Sequence, residues 1–310
     1  MSSSRRKWWR LDPEVAEALK EGLPVVALES TIVAHGMPYP ANLETAREVE
    51  SIVRAEGAIP ATVAVVDGHL QVGCSPAMLE RLATEQEVAK VSRRDLPLVL
   101  ARGKLGATTV SGTLIGAGLA GISVFVTGGI GGVHRGAEHT WDVSADLEEL
   151  ALQKVAVVSA GAKSILDLPK TLEVLETKGV TVLGYGTDVL PAFFTPDSGL
   201  QLVHRADSPS EVASAMAAKW GLGLQGGMLV ANPVPAQHGF DAEEATRKAL
   251  AAAADQGVEG KSLTPFLLQH IADATGGKSL AANVALVKHN ARVGAQIAVA
   301  YAGARPQGQE

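Results

Sequence analysis

Cysteine is almost missing from this chain: Cys74 is the only one in 310 residues, so no internal disulfide can staple the fold. That fits a reducing compartment, and the expected location is the cytoplasm. Aromatic residues are also scarce, at 4%, and the net charge is −6. The chain therefore has neither the stacking platforms nor the basic field of a nucleic-acid binder, and a small polar or phosphorylated substrate suits it better. The apolar core of a secretory leader is lacking too. Met1-Ser-Ser-Ser-Arg-Arg-Lys-Trp-Trp-Arg10 is basic but runs straight into Leu11-Asp-Pro-Glu14, and it reads as a loose lead-in.

What is present is apolar material, 46% of residues with a mean hydropathy of +0.16, enough to bury a large core and to exclude disorder over most of the length. Residues 105–133 carry no charge, which on length alone suggests a membrane span. Nine glycines interspersed with Ser and Thr make this stretch the buried centre of a soluble domain instead, so no membrane partner is expected. It divides into a helical piece over 112–121, a β-branched strand over 122–127 and a glycine loop over 128–132.

Further apolar runs over 24–29, 62–66, 155–159, 180–183 and 228–231 read as strands. Residues 42–56 and 164–178 read as amphipathic helices, and 279–302 as a long Ala/Val-rich helix that packs on the body or on a neighbouring subunit. Alternation of this kind predicts a three-layer α/β/α sandwich with a mainly parallel central sheet. No internal repeat or low-complexity linker divides it. The expected organisation is a lead-in over 1–22 and a single catalytic domain over 23–305.

Two glycine motifs with dinucleotide spacing, Gly116-Ala-Gly118-Leu-Ala-Gly121 and Gly221-Leu-Gly223-Leu-Gln-Gly226, each end a helix and lead into a strand. That is the reverse of the order that puts phosphates on a helix N-terminus, so they read as helix stops. Gly276-Gly-Lys278-Ser279 resembles the end of a P-loop, but Ala272 stands where the first glycine is required.

The remaining polar chemistry lies where strands end. Val155-Ala-Val-Val-Ser-Ala-Gly-Ala-Lys163 delivers a lysine through small residues to the start of a predicted helix. The buried strand fixes the backbone, the Ser159-Ala-Gly-Ala162 stretch lets substrate approach, and apolar surroundings favour the neutral amine that attacks carbon. The alternative is a surface lysine in a first helical turn. Glu29 ends an apolar run, where burial can raise its pKa into a range useful for proton transfer; the alternative is a structural pair with Arg or a helix cap. Lys90, Arg93 and Arg94 form a basic cluster that suits a phosphate or an ordinary solvated surface. The loop 128–132, followed by His134 and Arg135, offers backbone N–H groups to an anion or is simply a flexible turn. Asp142, Ser144 and Asp146 space hard oxygen donors two apart, too few for a closed cage but suited to Mg²⁺ or Mn²⁺ held largely through water. The alternative is a cap on the helix at 147–152.

Six segments together resemble pseudouridine-5'-phosphate glycosidase. They are Ala27-Leu-Glu-Ser-Thr-Ile-Val-Ala-His-Gly-Met-Pro-Tyr-Pro-Ala-Asn42, Lys90-Val-Ser-Arg-Arg-Asp95, Gly106-Ala-Thr-Thr-Val-Ser-Gly112, Thr140-Trp-Asp-Val-Ser-Ala-Asp146, Ser159-Ala-Gly-Ala-Lys-Ser-Ile-Leu-Asp167 and Thr275-Gly-Gly-Lys-Ser-Leu-Ala-Ala-Asn283. The match runs in family order from about Leu23 to the C-terminal helix. The resemblance implies a homotrimer of α/β/α subunits, dependence on Mn²⁺, and reversible cleavage of pseudouridine 5'-phosphate to uracil and ribose 5-phosphate. It assigns the Schiff-base nucleophile to Lys163, the proton donor to Glu29 and the metal ligand to Asp142. Substrate contacts fall on Lys90, Thr109, Val110, His134, Ser144, Ala145, Asp146 and Asn283.

The chemistry explains the need for a lysine. Ordinary glycosidases protonate a leaving oxygen between paired carboxylates, whereas here the sugar is joined to a uracil carbon. Two rival readings share part of the pattern: a lysine-dependent phosphosugar aldolase, which release of free uracil would exclude, and a non-catalytic sugar-phosphate binding protein, against which borohydride trapping at Lys163 would count.

Overall fold

The computed structural model describes residues 8–258, 260 and 263–304; the first seven residues of the expected lead-in and the last of the expected domain lie outside them. Its strands are β1 (Trp9–Leu11), β2 (Val25–Leu28), β3 (Ile59–Val66), β4 (His69–Val72), β5 (Ala89–Val91), β6 (Gly106–Thr108), β7 (Val124–Val126), β8 (Val133–His134), β9 (Ala156–Ser159), β10 (Leu166–Asp167), β11 (Thr181–Tyr185), β12 (His204–Ala206) and β13 (Met228–Ala231). Strands β2, β7, β9 and β13 are buried along their whole length, which is why they are written as unbroken apolar runs and not as alternating ones.

The sheet runs in the order β1-β4-β3-β2-β7-β9-β13-β11-β12, with β6 on β3 and β5 on β6. From β3 through β2 to β12 every pairing is parallel. Strand β3 divides its partners: Ile59 to Thr62 pair in parallel with β2, while its second half pairs antiparallel with β4 and β6. The mainly parallel sheet predicted from the sequence is thus present, with antiparallel pairing beyond the midpoint of β3.

Helices flank this sheet. The long helix Lys278–Ala304 lies along β2, β7 and β9 and packs on the helices Ala41–Ala55 and Pro209–Gly221. Helix Val110–Ala120 lies along β2, β3, β6 and β7 and packs on Ala145–Leu152. The long helix comes so close to the sheet that a Cβ at Gly294 would lie 2.2 Å from a Val126 methyl carbon, so only glycine fits there. Within the expected lead-in, Trp9–Leu11 pair in parallel with β4, and Val15 and Ala18 of helix Pro13–Lys20 join the core.

Both glycine motifs end helices. Gly121 closes Val110–Ala120 in the left-handed conformation at φ 78°, and Gly223 and Gly226, at φ 79° and 78°, follow Pro209–Gly221 before β13 begins. Residues 164–167 depart from the predicted helix. Leu166 and Asp167 pair antiparallel with Val133 and His134, and the helix starts only at Leu168, where Asp167 accepts the Lys170 N–H at 3.1 Å and Pro169 fits the first turn. Lys163 therefore belongs to a connecting loop and not to a helix start.

Candidate active site

Parallel register aligns the ends of neighbouring strands: Leu28 lies beside Val126, and Val126 beside Val158. The next residues, Glu29 and Thr127, emerge together from β2 and β7 at the carboxyl edge of the sheet, the side on which open α/β sheets place their ligands. The Thr127 hydroxyl donates a hydrogen bond to the Glu29 carboxylate. Glu29 keeps part of its surface exposed but is deeply set among protein atoms. This desolvation raises its pKa above the ordinary carboxylate value, against the charge of Lys163 and the Thr127 hydroxyl; Asp146 adds to the rise and Lys90 opposes it. Among the described residues no arginine pairs with Glu29, the structural alternative considered for it.

Lys163 follows β9 after three small residues. These are not open to a ligand: Ala160 and Ala162 are buried, the Ala160 N–H bonds Gly128 O at 2.9 Å, and Phe193 N–H bonds Ala160 O at 3.0 Å. Their small size admits protein loops rather than substrate, which corrects the expectation for Ser159 to Ala162. The Lys163 N–H bonds Ile130 O at 3.1 Å, tying the lysine backbone to the loop after β7.

Two N–H groups of that loop, and two just after it, already have protein partners. The N–H groups of Ile130, Gly131, Val133 and His134 bond Gly161 O, Asp146 Oδ2, Thr171 Oγ1 and Asp142 O, so these four are unavailable to cradle an anion. Gly131 is required by its surroundings, since a Cβ there would lie 2.4 Å from Ser144 Oγ and 2.7 Å from Asp146 Oδ2.

Two helix N-termini meet beside the loop. Thr109 caps Val110–Ala120, and Ser144 caps Ala145–Leu152 by accepting the Asp146 N–H at 3.2 Å. The cap that the spacing allowed for Ser144 is therefore realised. The buried Asp146 carboxylate joins the two, accepting N–H groups of Ser111 and Gly131 at 2.8 Å each. Thr109 N–H bonds Val91 O at 3.0 Å, which brings Thr109 and Val110 beside Lys90 of β5. The charge of Lys90 acts on both Glu29 and His134.

His134 and Asp142 line another edge, with Nδ1 and Oδ2 3.9 Å apart. Burial lowers the His134 pKa, Asp142 raises it, and Lys163 and Lys90 lower it again. Among the described residues no three His, Cys, Asp or Glu side chains gather as a cage. A partly exposed Asp142 carboxylate fits a hard cation that keeps most of its water and does not fit a fully protein-ligated one. Asn283 projects from the long helix beside the loop: a Cβ on Gly128 would lie 3.3 Å from its Oδ1.

Two of the arginines considered for an anion, Arg93 and Arg135, have carboxylate partners. Arg93 pairs with the fully buried Glu149, and Arg135 makes a two-pronged contact with Glu243 at 2.8 and 2.9 Å. Several polar residues at the site escaped the sequence reading. Ser30 and Thr31 flank Glu29 and bind the β6 end, with Thr108 N–H to Ser30 Oγ at 2.8 Å and Thr31 Oγ1 to Thr108 O at 2.8 Å. Their signal was available in the two segments Glu29-Ser-Thr31 and Thr108-Thr109, each with hydroxyls directly beside a candidate site residue. Thr127, Asn232 and Asn290 left a weaker one, polar residues next to apolar runs.

The model of the Indigoidine synthase A like protein family matches residues 14–300. A protein of Caldanaerobacter subterraneus subsp. tengcongensis named pseudouridine-5'-phosphate glycosidase is 58% identical over 292 residues, covering 93% of this chain and 95% of its own. One of the same name from Staphylococcus aureus is 55% identical, with 95% and 97% covered. Among solved structures, the prealnumycin C-glycosynthase AlnA in complex with ribulose 5-phosphate superposes with a TM-score of 0.89 at 40% identity, covering 96% of this chain and 98% of its own. An indigoidine synthase A-like protein of Thermotoga maritima gives 0.84 at 37% identity, with 90% and 93% covered. The chain belongs to the Indigoidine synthase A like family, among the pseudouridine-5'-phosphate glycosidases.

Proposed function

We propose that this chain cleaves the carbon–carbon glycosidic bond of pseudouridine 5'-phosphate reversibly, giving uracil and ribose 5-phosphate, with Lys163 as nucleophile and Glu29 as proton donor. The observation that carries the residue assignment is the placement of a desolvated carboxyl and a lysine amine within electrostatic reach at the carboxyl edge of a parallel sheet. Relatives that bear the glycosidase name, and a neighbour that binds a pentulose phosphate, support the reaction class.

In this reading the raised pKa keeps Glu29 protonated further toward neutrality, so it can give a proton to the ribose ring oxygen as the C1'–O4' bond opens. The neutral Lys163 amine then adds at C1'. Once the uracil carbon is protonated, the nitrogen lone pair expels uracil and forms the imine of ribose 5-phosphate, which water hydrolyses to restore the amine. Lys90, the helix start at Thr109 and Val110, and His134 provide donors suited to the sugar phosphate. Ser144, Ala145, Asp146 and Asn283 complete the substrate contacts.

We assign Asp142 as the protein anchor of one hydrated Mn²⁺ per subunit. When bound, such an ion supplies positive charge that organises an anionic substrate through its water shell. We further propose a cytoplasmic homotrimer whose catalytic domain, expected over residues 23–305, also takes in the strand Trp9–Leu11 and the helix Pro13–Lys20. The test is uracil release from pseudouridine 5'-phosphate by the purified protein, with and without chelator. Metal-dependent release supports the reading; ribose 5-phosphate binding without any release, or sugar carbon–carbon cleavage, overturns it.

A further inference from the structure

Two buried asparagines lie behind the Glu29–Thr127 contact, and the reaction scheme does not use them. Asn290 on the long helix and Asn232 just after β13 are 0% and 1% exposed. A buried amide has to place each donor and acceptor on a partner, or its desolvation is uncompensated. Here the partners form a chain. Asn232 Nδ2 donates to Asn290 Oδ1 at 2.9 Å, and Asn290 Nδ2 donates to the Thr127 carbonyl at 2.9 Å. The Thr127 N–H is held by Val158 O at 3.1 Å, so both backbone polar groups of Thr127 are fixed and its hydroxyl is aimed at Glu29. The other end is anchored as firmly: Asn232 N–H bonds Ser159 O at 2.8 Å, on the strand that leads to Lys163.

We infer that Asn290, backed by Asn232, is a positioning residue that aims the Thr127 hydroxyl at Glu29 and holds the loop carrying it at a set distance from the strand that delivers Lys163. This rests on the proposed roles of Glu29 and Lys163. Asn290 stands seven residues, two helical turns, beyond Asn283, so one face of the long helix both meets the loop at Gly128 and orients the residue before it. The helix can present both because Gly294 lets it approach β7 closely.

Three variants test this: Asn290→Leu, Thr127→Val and the double substitution, with Glu29→Gln and wild type alongside. Misaiming a catalytic contact by about an ångström costs up to ~10²-fold in rate. Asn290→Leu is therefore expected to lower kcat for uracil release by roughly 10- to 100-fold, with KM changed little. Because the Thr127 hydroxyl favours the ionised carboxylate, losing it leaves Glu29 protonated to higher pH. The Glu29 limb of the kcat profile should move upward while the other charged groups facing Glu29, Lys163, Lys90 and Asp146, remain in place. The double variant should be no slower than the slower single one, since both break one chain. A purely structural Asn290 gives independent, multiplying effects and an unmoved pH profile.

Multiplying effects, an unmoved limb, or wild-type kcat in folded Asn290→Leu overturns the inference. If Asn290→Leu does not fold, Asn232→Ala carries the same test, because it removes the amide that donates to Asn290 Oδ1 while leaving Asn290 itself in place. Wild type without uracil release overturns the function reading and this inference together. Wild-type release, with Glu29→Gln impaired and the asparagine variants unchanged in rate and pH profile, overturns this inference alone.

Discussion

His134 Nδ1 stands 3.9 Å from Asp142 Oδ2, at the edge of a recess that otherwise confronts the imidazole with two lysines. Of the charged groups acting on that ring, Asp142 alone favours the imidazolium, while burial, Lys163 and Lys90 oppose it. Asp142→Asn should therefore lower the His134 pKa further. It should also weaken the response of turnover to Mn²⁺ more than it weakens folding, because one carboxylate with water ligands is a modest structural tie. A proton NMR titration of the His134 ring, with a Mn²⁺ titration of uracil release, checks both; full activity of the wild type in excess chelator contradicts the metal assignment.

Lys163→Ala should abolish turnover in a protein that remains folded, since the side chain is partly exposed and only its backbone N–H is used by the loop. Borohydride added with ribose 5-phosphate should increase the mass of the wild-type peptide containing Lys163. Labelling of a different lysine would move the nucleophile.

Glu29→Gln should lower turnover by about 10²- to 10⁴-fold, the usual contribution of general acid–base catalysis, while ribose 5-phosphate binding persists. Stability should move the other way. A carboxyl whose folded pKa is raised stabilises below its unfolded pKa, and that contribution is lost as pH rises through the folded value. At neutral pH the neutral glutamine avoids this cost, so the melting temperature should hold or increase. A variant that melts earlier and keeps its turnover per folded molecule would make Glu29 a structural residue.

Arg93→Ala tests whether Arg93 belongs to the phosphate site. Glu149 is fully buried and is satisfied by Arg93 and by Gln153 Nε2 at 3.0 Å. Removing the arginine leaves a buried carboxylate short of a donor, at a cost of about 1–3 kcal/mol. Urea unfolding should show a lower midpoint at unchanged slope, with KM for pseudouridine 5'-phosphate near wild type. A large rise in KM without loss of stability would return Arg93 to the substrate.

Local pattern in the sequence was enough for the central strands β2, β7, β9 and β13, because a parallel strand covered on both faces is written as an apolar run; Met228 to Ala231 are delimited in the chain as they are in the fold. It did not reveal β1, β4, β5, β6 or β12, short strands without such a run whose place depends on their partners. It was enough to dismiss both glycine motifs, since a residue with left-handed φ closes a helix wherever Gly121 or Gly223 stands. Local pattern failed at Ser164 to Asp167. Helical periodicity there is overridden by pairing of Leu166 and Asp167 with β8, a partner some thirty residues away that no short window contains.

Glu29 and Lys163 were legible as candidates because each ends an apolar run, and the further site residues came from the family resemblance. What each polar group bonds to was decided by tertiary structure alone. Thr127 reaches Glu29 across 98 positions of sequence, and Asn290 reaches Thr127 across 163. Arg93 was drawn from its basic cluster to Glu149, 56 positions away. The reason is physical: apolar burial depends on a residue's own character and period, whereas a buried hydrogen bond depends on which other element arrives within about 3 Å, and that is set only when the layers pack.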